Sequence, residues 1–261
     1  YAFSKCKNLK TITFPSNSEL NSIEKFSFAY TIIESISIPK SVKSIGDCCF
    51  IDCKNLKSIK LTEDSELKSI GKLAFKNTLI DSIFIPPQVK EIEGKTFFNM
   101  NNLKNIEISK QNKFLMMIDN HLLIKKTEEN NENFDVLVYS LNDVKKVVIP
   151  KYIKRISSYS FSKIKTLKSV VFSQNSELIS IEKEAFSHSS IEKISIPSTV
   201  NQICESSFLR CNHLKSVDFA LNSELILIND EVFSYTSIRR IVIPNKVRKI
   251  GKQAFSFCHR L

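Results

Sequence analysis

The stretch Ile38–Leu56, IPKSVKSIGDCCFIDCKNL, decides the fold, because its pattern returns at Ile243–Leu261 as IPNKVRKIGKQAFSFCHRL. Both copies place Ile-Pro, Val, Ile-Gly, Phe, Cys and Leu at the same offsets. Self-similarity of this kind indicates a repeat architecture, in which one supersecondary unit stacks on the next. The shared Phe marks each repeat.

That phenylalanine recurs along most of the chain. Its successive separations are 25, 22, 25 and 22 residues, then 64, and then the first series again. Within the long gap Tyr139 takes the Phe position, so the repeat that begins at Phe97 has 42 residues and carries an insertion of 17. We predict that the rings form a structural spine through the core. Its members are Phe3, Phe28, Phe50, Phe75, Phe97, Tyr139, Phe161, Phe186, Phe208, Phe233 and Phe255.

Each repeat also carries an alternating apolar motif, as in Leu56, Ile59 and Leu61. Alternation predicts one short parallel strand per repeat, with apolar side chains inward and the residues between them outward. Repeats of 22 and 25 residues fall within the leucine-rich repeat range of about 20 to 29. The predicted fold is an α/β-type or mainly-β solenoid, a leucine-rich repeat right-handed superhelix with a parallel concave sheet. We expect a single domain, 1–261, of about ten repeats plus a partial one.

Proline and glycine occupy fixed repeat positions. Ile-Pro ends the strand of each short repeat, and proline cannot extend a sheet ladder. Gly46, Gly71 and Gly251 each lie four residues before a spine Phe. At this position we expect a turn with positive φ.

The insertion lies within the fifth repeat, at residues 118–138. Its apolar runs Leu122–Ile124 and Phe134–Val138 flank a polar tip at 127–133. Two strand-like runs around a polar loop predict a hairpin-like insertion. A binding finger and a tolerated bulge are both open interpretations.

Composition excludes several classes of protein. With 42% apolar and 25% charged residues, the chain is neither disordered nor collagen-like. The longest uncharged apolar run, Phe114–Ile118, has five residues, so no membrane span is expected in this segment. The segment opens at a repeat boundary and stops within a repeat, and we therefore expect it to be part of a longer array.

The cysteines and histidines do not indicate catalysis or a metal site. Cys6, Cys53, Cys211 and Cys258 share one repeat position with Met100 and Ile164, which predicts apolar core thiols. The four His share no repeat position and no zinc-like spacing is present. We therefore expect no enzymatic activity, no cofactor, no metal and no small-molecule substrate.

The outward strand positions show a charge pattern. The residue after the first Leu or Ile of each strand alternates in sign over the first five repeats, at Lys10, Glu34, Lys57, Asp81 and Lys104. Alternation fails at Lys145 and Lys168, beside the outward valines Val148 and Val171. We predict a ligand-binding surface here, although an exposed Val is also common on ordinary surfaces. The candidate residues are Lys104, Lys145, Lys146, Val148, Lys168, Val171, Phe84, Val242 and Arg240.

The motif I-P-x-x-V-x-x-I-G-x-x-A-F-x-x-C-x-x-L resembles the BspA-like, treponeme-type leucine-rich repeats over essentially the whole chain. Low Gly and abundant Lys, Asn and Ser are similar to the versions found in protist parasites. The resemblance implies a surface protein that adheres to host cells, matrix proteins or other microbes. It carries over no residue-level binding motif.

Two functions remain open. One is a cell-surface or secreted adhesion module whose partner is a protein or glycan, with the net charge of +11 favouring anionic groups. The alternative is a cytoplasmic interaction scaffold, which the absence of N-x-S/T sequons also fits. Nucleic acid is disfavoured, because the Lys residues are dispersed and the aromatic residues belong to the core.

Overall fold

The computed structural model describes residues 1–128 and 132–261 and shows a β-solenoid of about ten turns with short parallel strands. This confirms the predicted solenoid with parallel sheets. The chain forms two compact units, Tyr1–Lys125 and Lys126–Leu261, which we call the N-terminal and C-terminal units. Their union in a single right-handed domain stays a prediction. No helix of the described residues is long and apolar enough to cross a bilayer.

The N-terminal unit contains long-strand and short-strand pairings, and both are parallel. The longer strands are β2 (Ser35–Ser37), β4 (Ser58–Lys60), β6 (Ser82–Ile85) and β7 (Asn105–Ile108), with β2 beside β4 and β6 beside β7. The two-residue strands are β1 (Ser22–Ile23), β3 (Ser44–Ile45) and β5 (Ser69–Ile70). A 3-10 helix, Gly94–Phe97, precedes β7.

The C-terminal unit repeats this arrangement. Its long-strand sheet has the order β11 (Lys146–Ile149), β13 (Ser169–Phe172), β15 (Lys193–Ile196) and β17 (Ser216–Phe219). The other sheet runs through β10 (Val136–Ser140), β12 (Arg155–Ile156), β14 (Ser180–Ile181), β16 (Gln202–Ile203), β18 (Leu227–Ile228) and β19 (Lys249–Ile250). Most repeats therefore supply two strands, not the single strand predicted.

The spine phenylalanines lie at the corners between the sheets. Rings of neighbouring repeats stack at centroid separations of 4.9 Å for Phe161 and Phe186 to 5.8 Å for Phe50 and Phe75. The inner rings are fully buried, whereas Phe3, in the first turn, is 38% exposed. Stacked rings in register give each repeat an apolar floor for the next.

Tyr139 occupies a different setting. It is buried within β10, and the N–H of the next residue, Ser140, donates to the Ser160 carbonyl. In a regular repeat the spine Phe itself makes this bond, as Phe161 does to Ala185. The register of β10 is therefore offset by one residue at this corner, and a place for Tyr139 in the ring stack stays a prediction.

Left-handed backbone conformation flanks the spine. Residues two before and two after a spine Phe have positive φ, as at Cys48 and Asp52 around Phe50. The N–H groups of these three residues each donate to a carbonyl of the following repeat. Such non-glycine conformations are costly in isolation, and here the inter-repeat hydrogen bonds hold them.

The glycine expectation was wrong. No glycine has positive φ, and the glycines serve close packing of backbones. A Cβ on Gly71 would lie 2.4 Å from the Asp47 nitrogen, and one on Gly46 would lie 2.5 Å from the Lys25 nitrogen. Neighbouring turns approach too closely at these points for a side chain.

The insertion region contains one antiparallel pair, β8 (Leu115–Ile118) with β9 (Leu122–Lys125). Asp119 and Asn120 both have positive φ in the turn between them, as in a type I′ turn. The predicted hairpin pairs Leu122–Ile124, which lies in β9, with Phe134–Val138, which overlaps β10. Part of its tip, residues 129–131, lies outside the described residues, and that hairpin stays a prediction.

Candidate functional site

The long-strand sheet of the C-terminal unit presents three outward columns of side chains. Strand register places Lys146 beside Ser169 and Val148 beside Val171. Further along, Ser195 lies beside Asp218. A third column, just before the strands, consists of Lys145, Lys168, Glu192, Lys215 and Arg239, whose backbones hydrogen-bond in that order. Neighbouring members are therefore about one strand spacing, ~4.8 Å, apart.

Two valines form an exposed apolar pair on this face. Val148 is 48% exposed and Val171 is 43% exposed, while the alternate residues Val147 and Val170 are buried. Val242, in the last repeat, is 66% exposed. Alternation therefore directs one valine of each strand to the core and the next to solvent.

Lys168 is not the unpaired cation that the sequence suggested. Its Nζ lies 3.3 Å from a carboxylate oxygen of Glu192, in the next repeat. Among the described residues, neither Lys145 nor Lys146 forms an ion pair, and both are exposed. The valine pair is therefore bordered by two unpaired lysines and one paired lysine.

The remaining candidates divide between the units. Phe84 and Lys104 belong to the N-terminal unit, where Phe84 is half-buried beside Glu107. Phe84 is thus less exposed than predicted. Arg240 lies in the C-terminal unit and forms an isolated parallel bridge with Ser216. Val242 follows it on the same face.

Three further cations on this face are not among the predicted binding residues. Lys193, Lys215 and Arg239 are exposed on the same columns as the predicted residues. A count of the charged residues at all outward strand positions would have identified these three cations. In the C-terminal unit these positions hold seven basic residues and two acidic ones, Glu192 and Asp218.

The cysteines are hydrogen-bonded within the core. Cys53 and Cys211 donate from Sγ to the carbonyls of Phe28 and Phe186, each at 3.0 Å. Burial raises the pKa of the Cys211 thiol to about 12, which keeps it protonated and unreactive. Cys6, in the first turn, is exposed, unlike the buried position predicted for this column.

The tripeptide Ser-Glu-Leu recurs at residues 18–20, 65–67, 176–178 and 223–225, and two of its glutamates form ion pairs. Glu66 and Glu224 pair with Lys43 and Lys246, at 3.9 and 2.7 Å. The preceding serine makes a turn that the sequence reasoning missed: Ser65 Oγ accepts the N–H of Leu67. Over residues 1–128 and 132–261, no group of three or more His, Cys, Asp or Glu side chains is arranged to hold a metal ion.

Comparison with known proteins gives a family and a fold. Residues 21–125 and 135–261 match the family described as BspA type Leucine rich repeat region, in six copies. The search of curated proteins found no match.

Several solved structures are similar. Pneumococcal vaccine antigen PcpA has a TM-score of 0.68 and 22% identity, over 95% of this chain and 70% of that chain. A leucine-rich repeat protein from Eubacterium ventriosum has a TM-score of 0.68 and 21% identity, over 92% and 81%. A leucine rich cell surface protein from Faecalibacterium prausnitzii has a TM-score of 0.64 and 22% identity, over 100% and 67%. At these identities the likeness shows the fold.

Proposed function

Since the chain belongs to the BspA-type leucine-rich repeat family, we propose that it is a non-enzymatic adhesion module of the cell surface or secreted space. It contacts its partner through the long-strand face of the C-terminal unit. The observation that carries this proposal is the exposed Val148–Val171 pair beside Lys145 and Lys146. A rigid sheet that displays apolar side chains within a charged border has the composition of a protein-binding surface.

The surroundings of these residues support binding over structural roles. Val148 and Val171 pack their strands through their buried neighbours, so their own exposed methyl groups add little to the core. Like charges side by side, as at Lys145 and Lys168, destabilise a sheet. Both features cost stability and are explained if a partner covers them.

A surface location is supported by the similar protein from Faecalibacterium prausnitzii, which is a cell surface protein. The low glycine and high lysine, asparagine and serine content supports a place among the protist versions of the family. The second candidate, a cytoplasmic interaction scaffold, is favoured by seven free cysteines, because free thiols persist best in reducing compartments.

The test is binding of the fluorescently labelled chain to cultured epithelial cells, measured by flow cytometry. We expect saturable binding that Lys146→Glu with Val171→Asp reduces at least tenfold. The matched control is Lys60→Glu with Ser37→Asp, which makes the same charge change at neighbouring outward positions of the N-terminal unit. The control should bind as the parent does.

Circular dichroism and denaturant unfolding establish that both variants are folded. Equal binding by the folded double variant and its control would show that the long-strand face of the C-terminal unit does not contact the partner. Absence of saturable binding by the parent chain would reject the adhesion function.

A further inference from the structure

We propose that the long-strand face of the C-terminal unit binds a linear sulfated polysaccharide, whose sulfate groups contact Lys193, Lys215, Arg239 and Arg240. The inference rests on the proposed function and names its ligand. All four side chains are exposed. They lie in two adjacent columns across three successive repeats.

The register puts these cations close together. The Arg239 N–H donates to the Lys215 carbonyl at 3.3 Å. Lys193 lies beside Ser216, and Ser216 lies beside Arg240. Adjacent strands are separated by about 4.8 Å, so the four cations line a strip that runs across the strands. A chain molecule laid along this strip meets a cation in every repeat.

The four cations of the strip carry uncompensated charge over the described residues. Within the described parts of the chain, none of the four forms an ion pair, and the carboxylate of nearby Glu192 lies 3.3 Å from Lys168 instead. Like charges on neighbouring strands are unfavourable. Elsewhere the same fold avoids that cost, because Glu34 lies between Lys10 and Lys57 in the N-terminal unit.

The chemistry of the strip favours sulfate over other anions. Arginine presents a planar fork of donors that matches tetrahedral oxyanions, and Arg239 and Arg240 are consecutive. The side chain between Lys193 and Arg240 is the Ser216 hydroxyl, a hydrogen-bonding group suited to sugar and sulfate oxygens.

Two other polyanions fit less well. Single-stranded nucleic acid binds through stacked aromatic side chains, and the outward columns of this face hold Lys, Arg, Ser, Val, Glu and Asp over their described residues. A protein partner, even an acidic one, usually contacts a surface whose centre is apolar. The centre of this strip is instead the polar hydroxyl of Ser216. The valine pair lies at the opposite end of the same face and remains available to a second part of the partner.

The test uses the full chain and immobilised heparin as the probe. We expect Lys193→Ser/Arg239→Ser/Arg240→Ser to raise the Kd at least tenfold. The control, Arg248→Ser/Lys249→Ser/Lys252→Ser, removes the same charge from exposed positions of the same unit and should change the Kd less than threefold. The slope of log Kd against log salt should fall by about two in the first variant, since each contacted anion contributes roughly 0.7 to 0.9 for nucleic acid polyanions.

Competition identifies the ligand class. Desulfated heparin, poly-glutamate and single-stranded oligo-dT should each compete at least tenfold more weakly than heparin. Equal loss in both triple variants, or equal competition by desulfated heparin, would overturn the proposal. Stronger competition by poly-glutamate or oligo-dT would assign the strip to an acidic protein or to nucleic acid and so reject the polysaccharide.

A cell experiment separates this inference from the proposed function. Growth in chlorate, which prevents sulfation, should remove most binding of the labelled chain. If binding persists on such cells and is still lost in Lys146→Glu/Val171→Asp, the adhesion function stands and the sulfated ligand is rejected.

Discussion

On the long-strand face of the N-terminal unit, Glu34 lies between Lys10 and Lys57, and Asp81 precedes Lys104. On the corresponding face of the C-terminal unit, Lys145 lies beside Lys168 and Lys215 lies beside Arg239. The two units nevertheless have nearly the same net charge, with 18 basic and 13 acidic residues in the first and 20 and 14 in the second. The two units therefore differ in where the charged residues lie on the long-strand face, and hardly in how many they contain.

The two faces use the same scaffold in different ways. Alternating charges on adjacent strands attract, and each pair contributes about 0.2 to 1 kcal/mol. A face that forgoes this attraction keeps its cations available to an external anion. We interpret the N-terminal face as self-compensating and the C-terminal face as a binding surface.

The largest expected effect comes from removing one buried spine ring in each unit. It tests whether the cores of the two units are equally stabilised by stacked rings. Phe50 and Phe208 are both fully buried and stacked on both sides. Phe50→Ala and Phe208→Ala should each lower the free energy of unfolding by about 3 to 5 kcal/mol, measured by urea denaturation. A cost below about 1 kcal/mol at either site would contradict a shared ring spine.

Gly71→Ala tests the close approach of neighbouring turns. The added Cβ would lie 2.4 Å from a backbone nitrogen, so we expect a loss of about 1 to 3 kcal/mol, as for overpacked cores. The control is Cys204→Ala, at the same repeat position of the C-terminal unit, where a side chain is already present. A neutral Gly71→Ala would show that the turns separate without cost.

Part of the fold could be predicted from the sequence, and part could not. The Phe period and the Ile-Pro, Leu and Val positions predicted the turns and the parallel long strands, because each repeat must bury the same face on the next. Two-residue strands such as Ser44–Ile45 are too short for alternation to reveal. The glycine rule failed at Gly71, because a glycine serves either positive φ or close approach and the sequence does not distinguish them.

The face that we propose as the binding surface was predicted in part as a set of outward residues. Val148, Val171, Lys145 and Lys146 followed from outward positions, which the strand period defines. The Lys168–Glu192 pair depends on which neighbour a long side chain selects, and periodicity carries no information about that choice. Lys193 and Lys215 were not predicted as binding residues because neither lies where the charge alternation first fails, between Lys104 and Lys168.

Glu34→Lys tests the contribution of the alternating surface charges in the N-terminal unit. It places a third lysine between Lys10 and Lys57 and should lower the free energy of unfolding by about 0.2 to 1 kcal/mol, with the loss diminishing at high salt. Glu34→Gln should lose less, because it removes attraction without adding repulsion. Unchanged stability in Glu34→Lys at low salt would show that the alternating charges do not stabilise the N-terminal face.

The smallest effect concerns His188 of the C-terminal unit. Burial, followed by the charges of Lys165, Arg210 and Lys163, lowers its pKa below the ordinary 6.5, and Glu184 opposes them. The unfolded chain therefore binds the proton more readily, so stability is complete above about pH 6.5 and falls as the pH drops below it.

Unfolding at pH 7 and pH 5.5 measures this dependence. His188→Asn should flatten it, whereas His213→Asn, at an exposed position of the same unit, should leave it in place. If the free energy of unfolding changes with pH equally in the parent and in His188→Asn, His188 contributes nothing to the pH dependence of stability.

The most direct test restores alternation to the C-terminal face. Lys145→Glu with Arg239→Glu places carboxylates beside Lys168 and Lys215, and stability and cell binding are then measured on the same sample. We expect the free energy of unfolding to rise by about 0.2 to 1 kcal/mol while binding falls at least tenfold. A variant that is no more stable than the parent and binds as well would contradict this expectation.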